Sequence, residues 1–257
     1  MRIKLTLHHR ANAQVPINSN YAISSMIYHK LGEANRQFAT QLHEEGWTVS
    51  GRKFKLFTFS RLRPQRYGIT GDRLVLQEGP TSLTISFFVH EALGHFIEGL
   101  FKAYRFSIGD EKSQTDFEVE SVDILPEIAF GDTMRFRLKS PVCISHQGET
   151  DRYAQYLAPD HDRYQEIFFN NLVNKFVASQ MPPSSPQQEE TPEMRLKILT
   201  KPKSKLIHIK PDQDQPIKIK GYTFDFEIQA PIELIQTGYW AGFGEKNSMG
   251  FGYAELL

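Results

Sequence analysis

Tyr239-Trp240-Ala241-Gly242-Phe243-Gly244-Glu245-Lys246-Asn247-Ser248-Met249-Gly250-Phe251-Gly252-Tyr253 is the stretch on which the reading of this chain turns. Counting Gly238 just before it, five glycines fall within fifteen residues. Glycine lets a backbone take positive φ and approach another group closely. Successive amides in such a loop can form an anion-binding nest, and Lys246 and Asn247 add donors. The stretch holds no Gly-Lys-Ser/Thr, so it is not a nucleotide-hydrolase phosphate loop, and no βαβ unit follows it, so it is not a dinucleotide fingerprint. Gly250-Phe251-Gly252-Tyr253 imitates part of a sheet-borne RNA-recognition box. That match fails at Met249, where Lys or Arg belongs, and at Leu256, where an aromatic belongs. The plain structural reading is a glycine-rich turn before a terminal strand.

Outward from that loop, composition narrows the field. The chain has 257 residues, of which 40% are hydrophobic and 23% charged, an ordinary soluble composition for one or two domains. Its single cysteine, Cys143, excludes a disulfide framework and any cysteine-based zinc or iron–sulfur site. No apolar run approaches the ~20 residues of a membrane-spanning helix. Met1-Arg2-Ile3-Lys4-Leu5 alternates charged and apolar residues, unlike a signal peptide, so the expectation is a cytoplasmic protein with no membrane partner. Thirty basic and thirty acidic residues cancel, but unevenly: residues 1–66 carry eleven Lys/Arg against three Asp/Glu, and residues 67–133 carry four against twelve. A segregated basic surface, rather than the net sum, is what phosphate binding asks for.

Periodicity supplies the elements. Ile3, Leu5 and Leu7 alternate with polar neighbours as in a half-buried strand. Asn18-Ser19-Asn20 offers helix caps, and Ile23, Ile27 and Leu31 follow at helical spacing. Gly32 interrupts the pattern, a second helical stretch carries Phe38 and Leu42, and Gly46 is a fitting stop. Phe54-Lys55-Leu56-Phe57-Thr58-Phe59-Ser60 reads as one strand, with others at Arg73–Leu76, Leu83–Val89 and Phe117–Val122. Glu91–Tyr104 is an amphipathic helix between the last two. A second round begins at Met134–Leu138. It continues with a helix over Tyr164–Ala178 that turns Ile167, Phe168, Leu172 and Phe176 inward, then a polar, proline-rich loop over Gln180–Pro192. Strands at Arg195–Leu199, Ile207–Lys210 and Thr223–Ile228, a short helical stretch after Pro231, and a closing strand in Phe251–Leu256 complete it.

Each round has the order β-α-β-β-α-β of the split βαβ motif. The expected fold is α+β: two tandem ferredoxin-like domains, 1–127 and 128–257, with a C-terminal glycine-rich loop over 238–253. His90-Glu91-Ala92-Leu93-Gly94-His95 superficially resembles a zinc-protease helix, but its histidines are five apart rather than four and so turn ~140° from each other. No metal and no cofactor is expected.

The glycine-rich stretch closely resembles the C-terminal loop of CRISPR-associated endoribonucleases that process precursor CRISPR RNA, in the repeat-associated mysterious protein superfamily. A second block agrees: Pro16-Ile17-Asn18, Ile27-Tyr28, Leu42-His43-Glu44 and Phe54 to Ser60 match that family's N-terminal half in order and spacing. The resemblance implies metal-independent cleavage of repeat RNA, in which the 2′-hydroxyl before the scissile phosphate attacks and leaves a 2′,3′-cyclic phosphate and a 5′-hydroxyl. It places the family's histidine at His43, its tyrosine at Tyr28 and its lysine at Lys55. Histidine suits proton transfer near neutrality and lysine suits stabilisation of the phosphorane charge. A helix C-terminus, where His43 is expected, attracts positive charge, which suits a general acid. Tyr28 beside Ile27 is equally what packing asks for, and His29 is the alternative assistant.

RNA contact is expected from three places. The first is the loop itself, through Gly242, Gly244, Lys246, Asn247, Gly250 and Gly252. The second is Arg52, Lys53, Arg61, Arg63 and Arg66; the third is Lys201, Lys203 and Lys205, with Lys218 and Lys220 after them. Each of these charges has the alternative of a merely solvated face. The partners so implied are CRISPR repeat RNA and precursor CRISPR RNA, for a monomer or homodimer, with a CRISPR effector complex as a further partner. The other function on the same fold is a non-catalytic RNA-binding subunit of such a complex.

Overall fold

The computed structural model describes residues 1–148, 152–180, 193–209 and 217–257. In the first half, β1 (Arg2–His8) is followed by α1 (Asn20–Ala34), α2 (Arg36–Glu44), β2 (Phe57–Phe59), β3 (Thr81–Phe87), α3 (His90–Lys102) and β4 (Gln114–Ile124). The strands pair antiparallel in the order β4-β1-β3-β2. Leu5 stands opposite Leu83 on one side and Val122 on the other. The period of two in β1 turns Ile3, Leu5 and Leu7 to one face. There they pack with Ile85, Phe87, Phe57 and Phe59 against Ile23, Ile27 and Leu31 of α1 and Leu93, Phe96 and Leu100 of α3. Each such fully buried side chain contributes roughly 1.5–3 kcal/mol. A strand at Arg105–Gly109 extends the β4 edge.

The second half repeats the plan: β5 (Thr133–Leu138), α4 (Tyr164–Ser179), β6 (Arg195–Ile198), β7 (Asp225–Gln229), α5 (Ile232–Ala241) and β8 (Ala254–Leu256). Its strands run in the order β6-β7-β5-β8, the same topology as the first sheet. Phe136, Phe168, Leu172, Phe226, Ile235 and Phe243 form its core. Two hairpins are inserted, Ser145–His146 with Gln155–Tyr156, and Lys203–Ile209 with Ile217–Thr223. The chain is therefore an α+β protein built of two tandem ferredoxin-like units, as expected. We propose the division at 127/128, within the connecting segment 125–132.

Several local expectations are corrected. The first helix runs through Gly32 and breaks at Asn35, whose extended backbone (φ −145°, ψ 100°) ends α1 and whose carboxamide oxygen caps α2 by accepting from the Phe38 amide at 3.0 Å. The Ser19 side chain makes no capping bond. The strand expected over 54–60 is two strands. Leu56 takes φ 51°, so Arg52–Phe54 pairs with Trp47–Val49 while β2 joins the main sheet. Thr223–Ile228 is likewise divided between the second inserted hairpin and β7. The helical stretch after Pro231 is ten residues long and includes Tyr239, Trp240 and Ala241. His90 and His95 share one helix, and His95 packs on Phe38 with ring centroids 4.8 Å apart. All but Gln180 of the proline-rich loop lies outside the described residues.

Arg2 joins the two units. It is 4% exposed, and its guanidinium donates to the carbonyl oxygens of Tyr239 and Ala254, the latter at 2.7 Å. The same group lies 3.4 Å from the Tyr239 ring centroid and 4.5 Å from that of Tyr253. A buried cation is tolerated when its donors are satisfied, and here the acceptors belong to the other unit. Ser86 of β3 adds a 2.8 Å bond to the Trp240 carbonyl.

Candidate active site

The break at Asn35 lets α2 fold back beside α1, and this brings Tyr28 and His43 together. Their rings meet edge to face with centroids 4.9 Å apart, and Tyr28 also touches Phe57 of β2 at 5.6 Å. α2 ends at Glu44, and Gly46, at φ 60°, closes the turn by donating its amide to the Gln41 carbonyl at 2.9 Å. Two of the C-terminal carbonyls receive lysines from the hairpin: Lys55 Nζ donates to His43 O at 2.7 Å and Lys53 Nζ to Glu44 O at 3.0 Å. Helix ends leave such carbonyls without intrahelical partners. The left-handed Leu56 is what aims Lys55 back at this helix end while β2 continues into the sheet.

The glycine-rich loop faces this cluster. α5 ends at Gly242 (φ 94°), and a short 3-10 turn at Asn247–Met249 lies between Lys246 (φ 58°) and Gly250 (φ 76°). Gly250 must be glycine, because a Cβ there would lie 2.6 Å from the Phe59 ring. The Asn247 amide donates to Phe243 O and Phe251 O, each at 3.0 Å, and so ties the two arms of the loop together. Glu245 accepts from the Ser145 hydroxyl at 2.7 Å and its amide at 3.2 Å. The loop then reaches the first unit. Asn20, at the start of α1, donates to Met249 O at 3.0 Å, Thr58 of β2 donates to Phe251 O at 3.0 Å, and the Ser248 side chain stands near the Tyr28 phenol.

Beneath the loop, α4 presents Lys175, 2% exposed, whose Nζ donates to Gly242 O at 2.6 Å and Gly244 O at 2.5 Å. Burial pushes its ammonium down to about 7, opposed by the nearby Glu245 carboxylate. Burial likewise lowers Lys55 to about 8, helped by the charge of Lys53. Burial raises the Tyr28 phenol well above its ordinary value, partly offset by the nearby Ser248 side chain, so it is neutral at physiological pH. A cleft of about 440 Å³ opens between loop, hairpin and α4, lined among others by Arg52, Lys53, Lys55, Lys246 and Ser248.

The remaining candidates separate. Lys246 is exposed beside the cleft, as are Arg52 and Lys53, whereas Gly242, Gly244, Gly250, Gly252 and Asn247 are buried in the loop's own packing. A ligand on the loop therefore meets Lys246 and Ser248 rather than the glycines. Arg63 is engaged with Glu255 of β8 at 2.7 Å, and the Arg61 Nε is buried without a partner. Arg66 is exposed, and so is His29, 3.6 Å from Glu33. Lys201, Lys203, Lys205, Lys218 and Lys220 are exposed on or beside the second inserted hairpin. The apolar residues Ile207, Ile209 and Ile219 of that hairpin pack with Cys143, Phe251 and Met249 under the loop. Among the described residues no three His, Cys, Asp or Glu side chains converge as metal ligands, and no helix is long and apolar enough to cross a membrane.

Lys175 and Ser248 were given no role from the sequence, and Asn20 only that of a helix cap. Lys175 carried a signal: it stands three residues after Leu172 and seven after Phe168, so it shares the inward face of the helix. A lysine there must find acceptors.

The chain matches the model for the C-terminal part of CRISPR associated protein Cas6 over residues 125–256 and that for its N-terminal part over residues 14–123. It is 31% identical over 255 residues to a CRISPR-associated endoribonuclease Cas6 of Methanocaldococcus jannaschii, covering 98% of this chain and 91% of that protein. It is 27% identical to a CRISPR-associated endoribonuclease Cas6 of Pyrococcus furiosus, covering 95% and 84%. Among solved structures, the product of a Cas6-related gene from Pyrococcus furiosus superposes with a TM-score of 0.80 at 23% identity, covering 100% and 98% of the two chains.

Proposed function

Since the chain belongs to the Cas6 family of CRISPR-associated endoribonucleases, with its two family models together spanning both halves, we propose that it cuts CRISPR repeat RNA within precursor transcripts and so releases guide RNAs. The observation that carries this reading is the meeting of Tyr28 and His43 beside Lys55, at the edge of a basic cleft under the glycine-rich loop. In the proposed reaction the 2′-hydroxyl gives up its proton to a solvent water as its oxygen bonds to phosphorus, the bond from phosphorus to the 5′-oxygen breaks, and the ends are a 2′,3′-cyclic phosphate and a 5′-hydroxyl. His43 delivers the proton to the departing 5′-oxygen. Lys55, leaving the His43 carbonyl, places its ammonium on the phosphorane. Tyr28, held neutral, orients the imidazole and the Ser248 end of the loop. Arg52, Lys53, Lys246 and the lysines of the second hairpin hold flanking phosphates. The route needs no metal, and the cytoplasm, where transcripts are made, is its place.

The test is cleavage of a cognate repeat RNA in EDTA, with wild type beside His43→Ala and a substrate carrying 2′-deoxy before the cut. Single-site cutting by the wild type that is lost in both controls is the expected result. Tight binding without cutting would make the protein a non-catalytic RNA-binding subunit. Undiminished cutting by His43→Ala would move the proton transfer to another group, with His29 the next to test.

A further inference from the structure

The cleft has a floor that the proposed reaction does not use. Asn171 lies on α4 one turn before Lys175, is 3% exposed, and lines the cleft. Its carboxamide oxygen is buried without a hydrogen-bond partner. Leaving such an acceptor unpaired costs stability, and native proteins rarely do so without a ligand, water or function to explain it. Three donors that line the same cleft are already committed: Lys175 to the loop carbonyls, the Asn247 amide to Phe243 and Phe251, and the Ser145 hydroxyl to Glu245.

The walls and rim are built differently. Phe54, Leu56 and Met249 give the cleft apolar walls. Arg52, Lys53, Lys55 and Lys246 stand on its rim, and among the described residues none of the four is in an ion pair. The volume of about 440 Å³ is in the range of small-ligand sites, roughly 300–1,000 Å³. An unpaired acceptor at the bottom asks for an N–H, and cations at the mouth ask for phosphate. One molecule carrying both, with a flat apolar body between, is a nucleotide. RNA is characteristically read this way, through unstacked bases bonded on their edges.

We propose that this cleft takes one splayed-out nucleotide of the RNA next to the cut. Its base edge donates to Asn171 Oδ1, its faces lie against Phe54, Leu56 and Met249, and its phosphate lies on the Arg52, Lys53 and Lys246 rim. The inference rests on the RNA-cleaving reading and adds a specificity position to it.

The test measures binding of repeat RNAs blocked by 2′-deoxy at the cut, so that it does not depend on cleavage. Each position flanking the cut is made abasic in turn and offered to wild type and to Asn171→Leu, a near-isosteric apolar replacement. Asn171→Ser serves as a second variant should the first fail to fold. Removal of one particular base is expected to weaken wild-type binding roughly 10–100-fold, the range of a good base contact. Asn171→Leu should weaken binding of intact RNA by a similar factor and be indifferent to that one abasic site. The thermal midpoint of Asn171→Leu should stay level or rise, because an unpaired buried amide has gone. A lowered midpoint with unchanged RNA binding would mean that a water satisfies Asn171, and would overturn the proposal. So would abasic and Asn171 effects that simply add at every position. Coupling without any cutting of unblocked RNA would keep the pocket and remove the nuclease reading. Cutting without coupling would do the reverse.

Discussion

Tyr28 and His43 touch ring to ring at 4.9 Å although a helix break separates them. That contact exists because Asn35 leaves the helical region and then caps the helix that returns. A side chain positioned to transfer a proton is worth about 10²–10⁴-fold in rate. His43→Ala should therefore lower the single-turnover cleavage rate by about that factor, with RNA affinity changed less than about threefold. Tyr28→Phe keeps the ring packing and loses only the hydroxyl that stands near Ser248. It should cost less, about tenfold, and equal losses in the two variants would show that the phenol itself exchanges the proton.

Lys55 supplies a pH dependence with a definite sign. Its ammonium is lowered to about 8 by burial and by Lys53. Charge that stabilises the phosphorane is present below that pH and disappears above it. The cleavage rate should accordingly fall as pH rises through about 8, once other limbs are accounted for. Lys55→Arg keeps its charge throughout this range, so its remaining activity should show no descending limb near 8. A pH–rate profile of both proteins measures this, and a limb that persists in Lys55→Arg would assign it to another group.

The strands and helices were legible because alternation and helical spacing report burial directly. β1, α3 and α4 lie within two residues of where their apolar periods put them. What escaped were places where backbone geometry overrides pattern. Phe54 to Ser60 is apolar and aromatic enough to be one strand, and nothing in its composition announces that Leu56 takes φ 51° and separates Lys55 from the sheet. Gly32 is the residue a reader would choose for the helix break, yet its backbone stays helical and Asn35 breaks instead, because Asn can satisfy the next helix with its own side chain. The glycine-rich loop was legible as special but not in its parts. Asn247 and Gly250 look like ligand contacts in sequence and are buried braces in space.

Gly250 offers a stability test of the loop's seat on the first unit. At φ 76°, with a prospective Cβ 2.6 Å from the Phe59 ring and 2.7 Å from the Asn20 amide, alanine meets both backbone strain and a clash. Strain of this kind costs on the order of 1–3 kcal/mol. Gly250→Ala should lower unfolding free energy by about that amount in denaturant titration, and should release the Asn20 bonds to Met249 and Gly250. A variant as stable as the wild type would mean that the loop shifts freely on α1 and does not brace it.

Lys175 makes the sharpest linkage prediction. Burial lowers its ammonium from 10.5 to about 7. Below about 7 both folded and unfolded chains hold the proton, and this group contributes no pH dependence. Between about 7 and 10.5 the unfolded chain holds it and the folded chain does not, so this residue makes stability rise with pH. The slope is at most about 1.4 kcal/mol per pH unit for one proton. Lys175→Met removes the titration. The stability of wild type relative to this variant should therefore increase from pH 7 to pH 9, by up to about 2 kcal/mol, in paired denaturant titrations. The same variant leaves the carbonyls of Gly242 and Gly244 without their donor. Cleavage should then slow through misplacement of Ser248 and Tyr28, while Lys175→Met remains as sensitive to loss of His43 as the wild type. A stability difference that is flat with pH would mean the two carbonyls hold Lys175 charged throughout, with the loop resting on a permanent buried cation.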